Sequence, residues 1–217
     1  MRLLVLGATG RCGGWVTRLA SRRGHAVTAV TRPESAWAGP TAVRVEQGSV
    51  LQGSFLEPLL ASHDVAISCL GLRRASILPW ARLLSPTDFV ESVSRTVSRS
   101  PPAPSLRRFI WISAGGVADS IGQATPLIRR MIGSGSIGAA YRDLARAESE
   151  LAESGVRSLA VRPVTLTGGP PTGKAGPVST YGLFSTVRRS DVATWMLDVA
   201  DGTATHSGEH VLLGRAS

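Results

Sequence analysis

Short continuous apolar runs alternate along this chain with segments whose apolar residues recur at helical spacing. Arg2 to Leu6 (RLLVL) reads as a first strand, and Arg11 to Arg23 as a helix with Val16, Leu19 and Ala20 turned inward. His25 to Thr31 and Ala42 to Glu46 read as the second and third strands, and a short helix covers Gly53 to Ala61. Asp64 to Leu70 (DVAISCL) is a fourth strand of buried character. A helix then runs from Pro86, a residue suited to a first helical turn, to Ser98, and Pro101 to Pro104 makes a surface connection. Arg108 to Ser113 (RFIWIS) is the fifth strand and Ala139 to Ser154 a helix that Gly155 ends. Ser158 to Arg162 is the sixth strand, Ser190 to Val199 a further helix and Glu209 to Leu213 a last strand. Residues 114–138 are irregular, with a helical turn or two from Pro126 to Ile132; residues 163–180, rich in Gly, Pro and Thr, have no clear period. Strands alternating with helices predict a doubly wound parallel α/β sheet in a single domain over 1–217, with no internal repeat. The two irregular stretches, 114–138 and 163–180, then form the substrate-side loops, the second as part of a lid.

The turn after the first strand adds chemistry to this pattern. Gly7-Ala-Thr-Gly10-Arg-Cys-Gly13-Gly14 follows the apolar run directly and opens the first helix. Gly7 permits the tight turn, Gly10 lets backbone approach a pyrophosphate, and Gly13 lets the helix pack on the strand, while free N–H groups at the helix start face the anion. A glycine triplet can be an ordinary turn. Its place between a strand and a helix, at the start of an α/β alternation, makes it the fingerprint of a dinucleotide-binding Rossmann fold.

Composition bounds what surrounds this motif. A chain of 217 residues, 43% hydrophobic, buries one sizeable core. No apolar run reaches the roughly eighteen residues of a membrane span. Arg2 and the glycine turn interrupt the N-terminal run too early for a signal peptide, so a cytoplasmic location and no membrane partner are expected. Cys12, Cys69 and four scattered histidines make neither a disulfide framework nor a metal site. The net charge of +9 raises nucleic acid as a partner, yet Lys174 is the only lysine and the arginines are dispersed in pairs such as Arg22-Arg23 and Arg188-Arg189. With no single basic tract and no interleaved aromatics, no specific nucleic-acid binding is expected. Oligomeric state leaves no mark in the sequence.

Further segments carry a resemblance. Asp64-Val-Ala-Ile-Ser-Cys-Leu-Gly71, Arg107-Arg-Phe-Ile-Trp-Ile-Ser-Ala-Gly-Gly116, Ala147-Glu-Ser-Glu-Leu-Ala-Glu-Ser-Gly155, Val161-Arg-Pro163, Leu166-Thr-Gly-Gly-Pro-Pro-Thr-Gly173 and Arg189-Ser-Asp-Val-Ala193 follow the glycine turn in order. Together they resemble the atypical short-chain dehydrogenase/reductase-like proteins that bind NAD(P)H, a group that includes the NmrA-like proteins and the biliverdin-IXβ and flavin reductases. The resemblance covers essentially the whole chain, and it says little about substrate because the fold hosts many activities. In such a sheet the ligand crosses the carboxyl ends of the strands at the switch point. That places Thr9, Gly10, Arg11 and Cys12 at the pyrophosphate, Ser49 and Val50 after the third strand, and Cys69, Leu70 and Gly71 after the fourth. Ser113 and Ala114 follow the fifth strand, and Pro163 and Val164 the sixth, beside the nicotinamide. Relatives commonly carry aspartate where this chain has Ser49.

At the end of the second strand an NAD-preferring site places an acid on the ribose hydroxyl; here stand Thr31 and Arg32. Arg32 and Arg11 can both reach a 2′-phosphate, which predicts NADPH over NADH, although both also read as surface arginines and Glu34 stands ready for the hydroxyl. Conventional relatives use a Tyr-x-x-x-Lys pair for proton transfer. Tyr141 begins such a spacing but Ala145 occupies the lysine position, so Tyr141 is a catalytic or a rim residue, and Ser113 a catalytic or a strand-end one. The reaction expected is hydride transfer from NADPH to a planar conjugated acceptor such as a flavin, quinone or tetrapyrrole. The alternative is a non-catalytic NADP(H) sensor of the NmrA-like type; an epimerase or dehydratase is disfavoured for want of the proton-transfer pair. Cys12 and Cys69, at neighbouring strand ends, form a redox pair if the helix start favours a Cys12 thiolate, or pack as small apolar residues.

Overall fold

The computed structural model describes residues 1–76, 81–100, 104–126, 129, 135–182, 184–204, 206 and 208–216. In chain order the elements are β1 (Arg2–Leu6), α1 (Gly13–Arg22), β2 (Ala26–Thr31), β3 (Arg44–Gln47), α2 (Gly53–Ala61), β4 (Val65–Ser68), α3 (Phe89–Arg99) and β5 (Arg108–Ile112). A 3₁₀ turn (Ala118–Gln123), α4 (Gly135–Glu153), β6 (Ser158–Pro163), β7 (Thr165–Thr167), β8 (Ala175–Pro177), β9 (Thr186–Arg188), α5 (Arg189–Asp201) and β10 (His210–Arg215) follow. Eight strands form one sheet in the order β3-β2-β1-β4-β5-β6-β10-β8, parallel apart from β8, which runs antiparallel to β10. The chain leaves β1 toward β2 and β3 and then returns to lay β4 on its other side, so the switch point lies between β1 and β4.

Helices cover both faces, which is why β1 and β4 read as unbroken apolar runs. Leu3 and Val5 face the core under α1 and α5, beside Val16, Ala20, Val192 and Met196. Leu4 and Leu6 point the other way, among Leu56, Leu60, Val90, Val97, Phe109, Ala147 and Leu151 of the α2–α3–α4 side. Each of Leu3 to Leu6 is fully buried, and a buried Leu or Val contributes about 1.5–3 kcal/mol relative to exposure.

Several boundaries differ from the sequence expectation. The first helix starts at Gly13, after a turn closed by the Gly10 N–H on the Gly7 carbonyl (2.9 Å). The third helix starts at Phe89 and not at Pro86: its first N–H groups, those of Val90 and Glu91, are taken by the carboxylate of Asp143 from α4 at 3.0 and 2.9 Å. The fourth helix begins earlier than Ala139, at Gly135, and the 163–180 stretch contains β7 and β8. Of the Pro126–Ile132 turn and the Pro101–Pro104 connection, residues 127, 128, 130–132 and 101–103 lie outside the described residues.

Candidate functional site

The glycine turn is fixed by close approach. Gly7 takes φ +76°, a left-handed conformation, and a Cβ on Gly13 would lie 2.2 Å from the Gly7 carbonyl oxygen. The helix start is therefore pressed onto the end of β1, and the N–H groups of Arg11 and Cys12 find no acceptor among the described residues. That is the cradle a diphosphate needs: free donors, no side chain in the way, and the positive end of α1.

Beside the turn lies a cleft of about 840 Å³ over the carboxyl ends of β1, β2 and β4. Gly7, Thr9, Gly10, Arg11, Cys12, Arg32, Ser49, Val50, Cys69, Leu70 and Gly71 all line it, so eleven expected site residues converge on one space. Gly13 lies beneath the turn. Ser113, Ala114, Pro163, Val164 and Tyr141 are not among the lining residues. Ser113 is buried, and its hydroxyl donates to Glu148 Oε1 at 2.6 Å. Glu148 in turn takes two guanidinium donors from the buried Arg162, which also reaches Asp119 at 2.7 Å. Tyr141 donates to the Gly115 carbonyl at 3.1 Å, and burial raises its pKa above 10. Pro163 and Val164 are spent on the frame: the Pro163 carbonyl accepts from Gly115, and the Val164 N–H donates to Leu213.

The cleft is cationic. Arg11, Arg32, Arg73 and Arg189 line it and Glu34 is its one acid among the described residues, paired with Arg32 at 2.6 Å. Sequence reasoning missed Arg73, Phe89, Leu166 and Arg189; Leu166 and Arg189 open two of the segments that carry the resemblance, but only the fold brings them to the cleft. Burial drives the Cys12 thiol up to about 11, outweighing the nearby charges of Arg189 and Arg11. Desolvation also raises Cys69 well above its ordinary value. Both are free thiols lining the cleft, and burial works against the Cys12 thiolate on which a redox pair depends.

The 168–173 stretch is tied down. Asp191 accepts from the Thr172 N–H, the Thr172 hydroxyl (2.7 Å) and the Gly173 N–H (2.9 Å). Ser190 bonds the Gly169 carbonyl at 2.8 Å and Arg188 the Pro170 carbonyl at 3.0 Å. These bonds hold residues 168–173 to the start of α5, and none of the six lines the cleft.

A parallel α/β sheet with a glycine cradle at its switch point and a cleft over the strand ends defines a Rossmann protein built to bind a dinucleotide. The chain belongs to the NAD(P)H-binding family, whose family model matches residues 7–203, and its cofactor is a nicotinamide dinucleotide. No curated protein matches it. Among solved structures it is similar to the anaerobilin reductase ChuY of Escherichia coli O157:H7 (23% identity, TM-score 0.73, 98% of this chain and 96% of that one). It is similar also to SP1627 of Streptococcus pneumoniae TIGR4, a candidate NADH-flavin reductase (18% identity, TM-score 0.75, 99% of each chain). The oxidoreductase ylbE of Lactococcus lactis superposes with TM-score 0.77 at 15% identity, over 100% of this chain and 92% of that one. At these identities the likeness is one of fold. No helix among the described residues is long and apolar enough to cross a membrane.

Proposed function

We propose that the protein is an NADPH-dependent reductase that reduces a planar conjugated acceptor of the flavin, quinone or linear-tetrapyrrole type. The observation that carries this reading is the sequestration of both candidate proton donors. Tyr141 is bound to the Gly115 carbonyl, Ser113 to Glu148, and Ala145 stands where a lysine would activate the phenol. A ketone needs a donor for its developing alkoxide. A conjugated acceptor needs none from the protein, since after the cofactor delivers hydride its reduced form takes a proton from water. The protein's part is then to bind, orient and desolvate, with Ile112, Leu166, Phe89 and Leu72 as the apolar walls of the cleft. The names of the similar proteins, an anaerobilin reductase and a candidate NADH-flavin reductase, support the same acceptor class.

NADPH is favoured over NADH by the arginine at the end of β2, with Glu34 engaged by it rather than left free for a ribose hydroxyl. The sequestered hydroxyls equally suit an NADP(H)-binding sensor without turnover. One experiment separates the readings: loss of NADPH absorbance with FMN, a simple quinone or a linear tetrapyrrole as acceptor. Turnover supports the reductase; tight NADPH binding without turnover on any acceptor supports the sensor.

A further inference from the structure

We propose that Arg189, the first residue of α5, is the second jaw of the cofactor's diphosphate site, closing on it from across the glycine turn. The inference rests on the nicotinamide-cofactor reading of the cleft and adds a residue from the opposite end of the chain. Arg189 and Arg11 line the same cleft, and both flank Cys12 closely enough for their charges to act on its thiol. The two guanidinium groups also act on each other: Arg189 gives up its proton more readily than a free arginine, first through desolvation and then through the charge of Arg11.

Neither has a carboxylate in ion-pair range among the described residues. Other arginines are differently placed. Arg162 is buried between Glu148 and Asp119, Arg23 binds Asp198 and Asp201, and Arg32 holds Glu34. Asp191, two residues from Arg189, is turned away to Thr172 and Gly173. A half-buried cation with a like charge for a neighbour is unfavourable until an anion joins the pair. Beside these two sit the unused N–H groups of Arg11 and Cys12. A diphosphate has the charge and the acceptor oxygens to satisfy all four groups. Ser190 and Asp191, the next two residues of α5, are bonded to the 168–173 loop, which anchors the backbone that carries Arg189.

The test uses the full chain as wild type, Arg189→Gln and Arg189→Lys, titrated calorimetrically with NADPH, with ADP and with FMN, with melting temperatures taken unliganded. Loss of a charge-assisted bond predicts about 10- to 100-fold weaker binding of both ligands to Arg189→Gln, with part of it restored in Arg189→Lys. Unliganded Arg189→Gln should melt at or above wild type, since the repulsion with Arg11 is gone, whereas a merely structural arginine would lower the melting point. NADPH and ADP binding within twofold of wild type overturns the proposal, as does a clear loss of unliganded stability. Weaker FMN binding with ADP and NADPH untouched also overturns it and gives the cation to the acceptor. A wild type that binds neither NADPH nor ADP overturns it through the cofactor reading itself, an outcome distinct from failure of the arginine alone.

Discussion

Asp191→Ala asks whether residues 168–173 belong to the folded frame. Asp191 is 3% exposed, and its carboxylate accepts the N–H groups of Thr172 and Gly173 and the Thr172 hydroxyl. Hydrogen bonds to charged groups are worth about 1.5–3 kcal/mol each, so a simple sum for the cluster would be roughly 4.5–9 kcal/mol. That sum overstates the cost. Thr172 and Gly173 are exposed, so their donors turn to water when released, and alanine leaves no buried donor unpaired. What is lost is the net gain of the cluster, about 2–3 kcal/mol, at the upper end of ordinary single substitutions. For a domain of this size it lowers the melting temperature by roughly 4–12 °C. Asp191→Asn keeps an oxygen for the two N–H groups, and the Thr172 hydroxyl can reverse to accept from the new amide. It should cost less than about 1 kcal/mol. Thermal melts of the three proteins, with limited proteolysis mapped over 168–173, read the result. If the alanine variant melts with wild type and its loop is cut no faster, the clamp holds nothing. If asparagine is as damaging as alanine, the charge governs and the acceptor geometry does not.

Three further outcomes are expected. Arg32→Ala should weaken NADPH binding and leave NADH nearly untouched, while Glu34→Gln, which frees Arg32 from an exposed ion pair worth about 0.2–1 kcal/mol, should tighten NADPH by up to about fivefold; equal effects on both cofactors in parallel titrations would refute the 2′-phosphate role. Tyr141→Phe and Ser113→Ala should each retain acceptor turnover within a few-fold and lose about 1 kcal/mol of stability, because both hydroxyls serve the frame; near-complete loss of rate in Tyr141→Phe would reveal a proton relay and favour a carbonyl substrate. Asp64 takes the side-chain and backbone donors of Arg2, which hold its carboxyl below the usual aspartate value. Linkage then gives stability that is fully present above pH about 4 and is lost as the pH falls through the folded-state value, so Asp64→Asn should flatten the acid limb of the melting-temperature profile, and an unchanged limb would count against the pair.

What the sequence discloses here depends on how far apart the interacting parts lie. β1 and β4 are legible because helices on both faces force four consecutive buried residues, and their short length between turn signals separates them from a buried helix. The glycine turn is legible because its constraint is local, Gly7 bending the chain and Gly13 meeting the Gly7 carbonyl within one turn. The start of α3 is not: Pro86 satisfies the local rule, but the cap that ends the argument is Asp143, on another helix. The 163–180 stretch looked structureless because β7 and β8 are three residues each, too short for a period, and find their partners β9 and β10 only later in the chain. Cys12 shows a local rule with the right sign and too little weight. A helix start does favour a thiolate, yet the same close packing that builds the cradle strips the sulfur of water, and desolvation prevails. Arg189 follows from the same reasoning in reverse. On its own it is one more arginine in a basic chain, and it acquires chemical meaning only when the fold sets it beside Arg11 with no carboxylate in ion-pair range among the described residues, so this part of the cleft's charge follows from the doubly wound topology rather than from the glycine motif.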